Sequence, residues 1–118
     1  MSGRDEAATE AVNEVRLVGR VSAPAEEKGL PSGDSVWTFR VVVDRPVDRA
    51  RPRSSVDTVD CAVWSGRPRR SVRALKAGDV IEVRGAIRRR FFQTASGAAS
   101  RVEVEVGGVQ VIRRAASA

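Results

Sequence analysis

The residues of this chain that could do chemistry are arginines and a few aromatic rings. Its 118 residues hold 21 Lys plus Arg against 15 Asp plus Glu, a formal charge of +6 and an isoelectric point near 11.1. Only Lys28 and Lys76 of the basic residues are Lys. An arginine guanidinium grips phosphate in a planar fork and stacks on bases, which an ammonium does not. The rings are Trp37, Trp64, Phe39, Phe91 and Phe92. Rings interleaved with cations are the combination that holds single-stranded nucleic acid, the ring taking a base face and the cation a phosphate. Other chemistries are excluded by composition. Without His there is no Ser-His-Asp or Cys-His nucleophilic pair. The lone Cys61 provides neither a zinc ligand set nor an intramolecular disulfide, and it suits a reducing compartment. Asp57 and Asp60 lack a base or ligand set around them. Val106-Gly107-Gly108-Val109 lacks the lysine and the following helix of a phosphate-cradling loop. Neither an enzyme, a cofactor nor a metal is expected.

Alternation of apolar residues supplies the elements that must position these groups. Residues 15–22, 36–43, 58–64 and 80–92 read as four strands, and 101–106 with a short run at 109–112 as the return. Segment 23–34 reads as a loop, and 44–55 as a long basic hairpin loop. Segment 93–100 reads as a hairpin tip, and Gly107-Gly108 as a break. Between the third and fourth strands, Pro68, Val72 and Leu75 predict one brief helix, with Pro in its first turn and Gly78 as its stop. Gly19 and Gly85, inside strands, imply sharp curvature. A curved five-stranded antiparallel sheet of this size closes to remove its edges. The expected architecture is an all-β OB-fold barrel over residues 13–112. An acidic, flexible leader at 1–12 precedes it, and a short flexible tail at 113–118 follows. Residues 1–14 carry one Arg against four acids, which leaves +9 on the remainder and favours a polyanionic partner. No apolar run approaches the roughly 20 residues of a membrane helix, and no apolar signal segment opens the chain. A soluble cytoplasmic, nucleoid-associated protein is expected.

Strand phase sorts the candidates. Val59, Cys61 and Val63 supply the inner face of the third strand, so Trp64 falls outside and is a stacking candidate. Phe92 shares the outer phase with Arg88 and Arg90. Phe91 lies in the core phase, where barrel packing competes with binding. Trp37 also lies in the core phase, early in its strand, at a barrel rim, a subunit contact or a nucleic-acid contact. Arg40 is an outer-face phosphate ligand, and the loop arginines Arg45, Arg49, Arg51 and Arg53 could fold over a bound strand. Cys61 reads as a buried structural thiol. Three functions are weighed: single-stranded DNA binding, RNA binding by the same barrel, and a protein-interaction subunit with a basic face.

Several segments, in order, resemble the bacterial single-stranded DNA-binding proteins. They are residues 13–21 (NEVRLVGRV), Pro31-Ser32-Gly33 before the Phe39 strand, residues 60–64 (DCAVW), residues 75–85 (LKAGDVIEVRG), and Arg88 to Phe92 followed by Ser96-Gly97. The resemblance covers about residues 13–112. It implies an OB-fold, usually a homotetramer with a dimer as the alternative, that wraps single-stranded DNA without sequence preference in replication, repair or recombination. Its stacking positions fall on Trp64 and Phe92. Two further aromatic positions of the family fall on Thr58 and near Val47, which implies a more electrostatic binder. Arg113 to Ala118 lack the acidic tip that recruits repair proteins in the family, so such recruitment is not expected.

Overall fold

Valines at alternate positions give each strand one apolar face, and closure of the sheet buries those faces together. The computed structural model describes residues 9–50 and 55–116. Its elements run β1 (Val15–Val21), β2 (Glu26–Gly29), β3 (Ser35–Asp44), β4 (Val56–Val63), α1 (Pro68–Arg73), β5 (Val80–Thr94) and β6 (Gly97–Arg113). The sheet order is β1-β5-β6-β4-β3-β2, and β1 also pairs with β3, which closes five strands into a barrel. The closing pairs are Arg20 with Val42 and Val21 with Val41. The expected barrel and helix placement are therefore present. Every pairing is antiparallel except β4 with β6, where Cys61 and Ala62 run beside Val104 and Glu105 in parallel. Phe39, Val41, Val63, Ile81 and Val83 fill the interior, and Val72 of α1 and Leu75, two residues past its end, pack onto the same core.

Closure is tightest at two glycines. A Cβ on Gly19 would lie 2.3 Å from the Val42 carbonyl oxygen, and one on Gly85 would lie 2.0 Å from that of Glu105. The register shifts beside Gly85, where Arg84 faces Gly108 and Gly85 faces Val106. Gly107 is thus the extra residue of a bulge. The expected break at Gly107-Gly108 is a bend within one continuous strand.

Three other expectations are corrected. Segment 23–34 contains β2, whose four residues are all exposed and pair along β3 from Glu26–Thr38 to Gly29–Ser35. The hairpin tip at 93–100 is only a two-residue turn, because β5 and β6 stay paired to Thr94 and Gly97. Phe91, expected in the core phase, is 78% exposed, and Ile87, which shares that phase on β5, is 51% exposed. The β4–β6 pairing ends at Cys61 and Val104, so β5 and β6 beyond it form a two-stranded arm with no interior.

Asn13 extends the β1 side of the barrel. Its amide exchanges two hydrogen bonds with the Ile87 backbone, at 2.8 and 2.9 Å. Residues 1–8 of the expected leader lie outside the described residues, as do residues 117–118. Of the expected tail, Arg113 ends β6, and the next two residues are held by a buried carboxylate. Asp79 accepts hydrogen bonds from the Ala115 amide (2.8 Å), the Lys76 amide (2.9 Å) and Arg114 (3.1 Å). Those bonds hold its pKa below the ordinary carboxylate value, the two backbone amides first. Among the described residues no helix is long and apolar enough to cross a membrane.

Candidate nucleic-acid interface

Cross-strand register on the arm decides which candidates meet. Side chains on paired residues share a face, and alternate residues along a strand share it too. Arg88 faces Glu103, Arg90 faces Arg101, and Phe92 faces Ala99. This face continues onto Trp64, the residue after β4, whose ring lies 4.4 Å from the Arg90 guanidinium carbon. The Trp64 indole N–H points to Glu103 Oε2 at 3.5 Å. Arg90 donates to Glu103 at 3.2 Å and to Glu105 at 2.8 Å, and Arg88 lies 3.5 Å from Glu105. The Arg101 guanidinium carbon stands 5.7 Å from the Phe92 ring. Trp64, Arg88, Arg90 and Phe92, with Arg101 and Glu103 of β6, therefore form one row of rings and charged groups.

A hollow of about 420 Å³ adjoins that row, bordered by Arg40, Asp60 and Thr38 on the barrel and by Arg101 and Glu103 on β6. Arg40 is the outer-face arginine of β3, and it donates to Asp60 at 2.8 Å. The hollow joins barrel and arm into one surface.

The remaining candidates lie elsewhere. Phe91 pairs with Ser100 and shares its face with Arg89, Ile87 and Val102, the side of the arm away from Phe92. Trp37 pairs with Val63 across β3 and β4, packs partly against the core, and borders a different hollow beside α1. Arg45 opens the long loop and pairs with Asp57 at 2.6 Å. Arg49 lies on the same loop and is exposed. Arg51 and Arg53 lie outside the described residues. Cys61 is buried, and burial first, then Asp60 and Glu103, push its thiol up to about 12, so it stays protonated and inert.

Two residues of the row were not legible as members. Arg101 and Glu103 lie on β6, and only the arm's register brings them to Phe92 and Trp64. The available signal was charge at matching positions: outer-phase glutamates on β6 facing outer-phase arginines on β5. The four candidate cations Arg40, Arg45, Arg88 and Arg90 each hold a carboxylate. A bound phosphate would exchange with that carboxylate rather than meet a bare charge.

Comparison with known proteins places the chain in a family and a fold. A model of the single-strand binding protein family matches residues 12–112. The single-stranded DNA-binding protein of Oceanobacillus iheyensis is 28% identical over 86 residues, covering 73% of this chain and 53% of that protein. Single-stranded DNA-binding protein 3 of Listeria innocua is 30% identical over 86 residues, covering 73% of this chain and 54% of that protein. The chain spans about half the length of the curated relatives it matches. A solved structure, the Plasmodium falciparum SSB complex with ssDNA, superposes with a TM-score of 0.70 at 24% identity. It covers 89% of this chain and 96% of that one, a likeness of fold.

Proposed function

The chain belongs to the single-strand binding protein family, and on that premise we propose that it binds single-stranded DNA without sequence preference, serving replication, repair or recombination in the cytoplasm. The observation that carries this reading is the row Trp64–Arg90–Phe92 on one face of the barrel and its arm. In it Trp64 and Phe92 take base faces, and Arg88, Arg90, Arg101 and Arg40 take phosphates. The loop arginines Arg45, Arg51 and Arg53 are further phosphate contacts in this reading. Phe91, on the other side of the arm, is left out of this contact. The binding unit is residues 13–112.

A homo-oligomer, with a tetramer favoured over a dimer, completes the proposal. It is supported by β1, which meets β3 only through Arg20 and Val21 and leaves one edge of Val15–Gly19 unpaired among the described residues. Exposed Val18 lies on that segment. An open strand edge of this kind is a template for pairing with a second copy.

The test is a titration with oligo-dT at two salt concentrations, read by tryptophan fluorescence beside a solution mass measurement. Quenching is expected, with log K falling against log salt by about 0.7 per phosphate neutralised. No binding of long oligo-dT at low salt would overturn the reading and leave the protein-interaction alternative. Preference for RNA of equal sequence would move it to the RNA alternative.

A further inference from the structure

We infer that the hollow beside α1 is a second contact for the same single strand, separate from the Trp64–Phe92 row, so that bound DNA continues past Trp64 onto the helix. The inference rests on the proposed single-strand binding and adds a site to it. The hollow encloses about 970 Å³ and is bordered by Trp37 of β3, Glu27 of β2, and Arg67, Arg69, Arg70 and Arg73 at α1. Four cations thus face one acid.

The state of those cations sets this site apart. Arg69 is committed, donating to Ser35 Oγ at 2.6 Å and lying 3.7 Å from Glu27. Arg67, Arg70 and Arg73 are exposed, and among the described residues none has a carboxylate partner. The arginines of the first row are all but Arg101 tied to Asp or Glu. The spacing of 67, 70 and 73 forms one stripe on the helix, on the side away from buried Val72. Guanidiniums without internal counter-charges gain most from a phosphate, since no ion pair has to be broken.

Trp37 gives the stripe its ligand class. Its ring is partly buried, leaning on the core with one part toward the hollow. A ring edged by uncommitted guanidiniums suits a nucleotide, base on ring and phosphate on fork. An acidic peptide would use the charges alone. The path is continuous: Trp64 is followed directly by Ser65, Gly66 and Arg67, so a strand stacked on Trp64 follows the linker to α1.

The test compares two oligo-dT lengths near the limits of the about 4–16 nucleotides an OB fold covers. The triple variant Arg67→Ala, Arg70→Ala, Arg73→Ala is expected to bind the short oligonucleotide as the parent does. On the long one its salt slope should fall by about 2, three phosphates at about 0.7 each, with at least about tenfold weaker binding at low salt. In Trp64→Phe, Trp37 is the sole tryptophan, and its emission should be quenched by the long oligonucleotide and not by the short. A triple variant equal to the parent on both lengths overturns the second contact and leaves the first row standing. A parent that binds neither length overturns both. Quenching of Trp37 by polyglutamate and not by oligo-dT would assign the hollow to an acidic protein instead.

Discussion

Trp64 is held from two sides, by the Arg90 guanidinium over its ring and by Glu103 toward its indole N–H. The ring is therefore pre-oriented before any base arrives, and ordering it costs little at the moment of binding. Phe92 has the Arg101 guanidinium beside its ring, no hydrogen-bonding group to orient it, and is 41% exposed. A good stack is worth about 1–3 kcal/mol, or roughly 5- to 150-fold in affinity. Phe92→Ala is expected to lose an amount in that range for oligo-dT. Phe91→Ala, one residue away on the opposite face, should stay within about twofold, since no stack is lost there. Equal losses from the two, measured by the same titration, would show that the arm's faces do not discriminate. The carboxylates make a second residue-level prediction. Glu105 holds Arg88 and Arg90 at 3.5 and 2.8 Å. An exposed pair is worth about 0.2–1 kcal/mol, which a phosphate must displace. Glu105→Gln should therefore tighten oligo-dT binding by a few-fold, and weaker binding would show that Glu105 positions the arginines more than it competes.

At the scale of elements, alternation was legible wherever a strand had an inside. β1, β3, β4 and the first half of β5 read correctly because their valines must alternate to fill a closed barrel. The sequence signal ended where the barrel ended. β2, with Glu26-Glu27-Lys28-Gly29, buries nothing and exists only by backbone pairing to β3. The outer arm keeps its alternation at Ile87 and Phe91, but with no core beside it, phase no longer reports burial. The two hollows were illegible for another reason: each is assembled from elements distant in sequence. The interior glycines did carry their meaning, and they give a paired test. Gly19 and Gly108 both lie in strands, yet a Cβ at Gly19 would strike Val42 and Val41, whereas nothing lies within 4 Å of one at Gly108. Gly19→Ala should destabilise the barrel by about 1–3 kcal/mol or more through overpacking at the closing seam. Gly108→Ala should be neutral or raise stability slightly, by about 0.4–1 kcal/mol. Thermal unfolding of the two variants checks the contrast.

For the whole molecule, the absence of histidine fixes how stability responds to pH. Histidine is the one side chain whose unperturbed pKa lies between pH 5 and 8, and Cys61, pushed up to about 12, does not titrate there either. Stability should therefore be nearly flat across the neutral range. On the acid side, Asp79 and Glu82 carry lowered values: Asp79 through the Ala115 and Lys76 amides and Arg114, and Glu82 through its hydrogen bond with Arg16 and the nearby Arg84. For a depressed carboxylate, the folded state binds its proton later than the unfolded chain does. Its stabilisation is complete above the unfolded value, about 4, and is lost as pH falls through the folded value. The melting temperature is expected to hold from pH 8 to 5 and to fall steeply below about 4. Asp79 also ties three separate parts of the chain together, the turn at Lys76, the start of β5 and the segment after β6. Asp79→Asn removes the charge while keeping one acceptor. It should lower the melting temperature at pH 7 and flatten the acid fall, because less stabilisation remains to be titrated. An unchanged acid limb in that variant would move the pH response to Glu82 and its arginines on the β1–β5 seam.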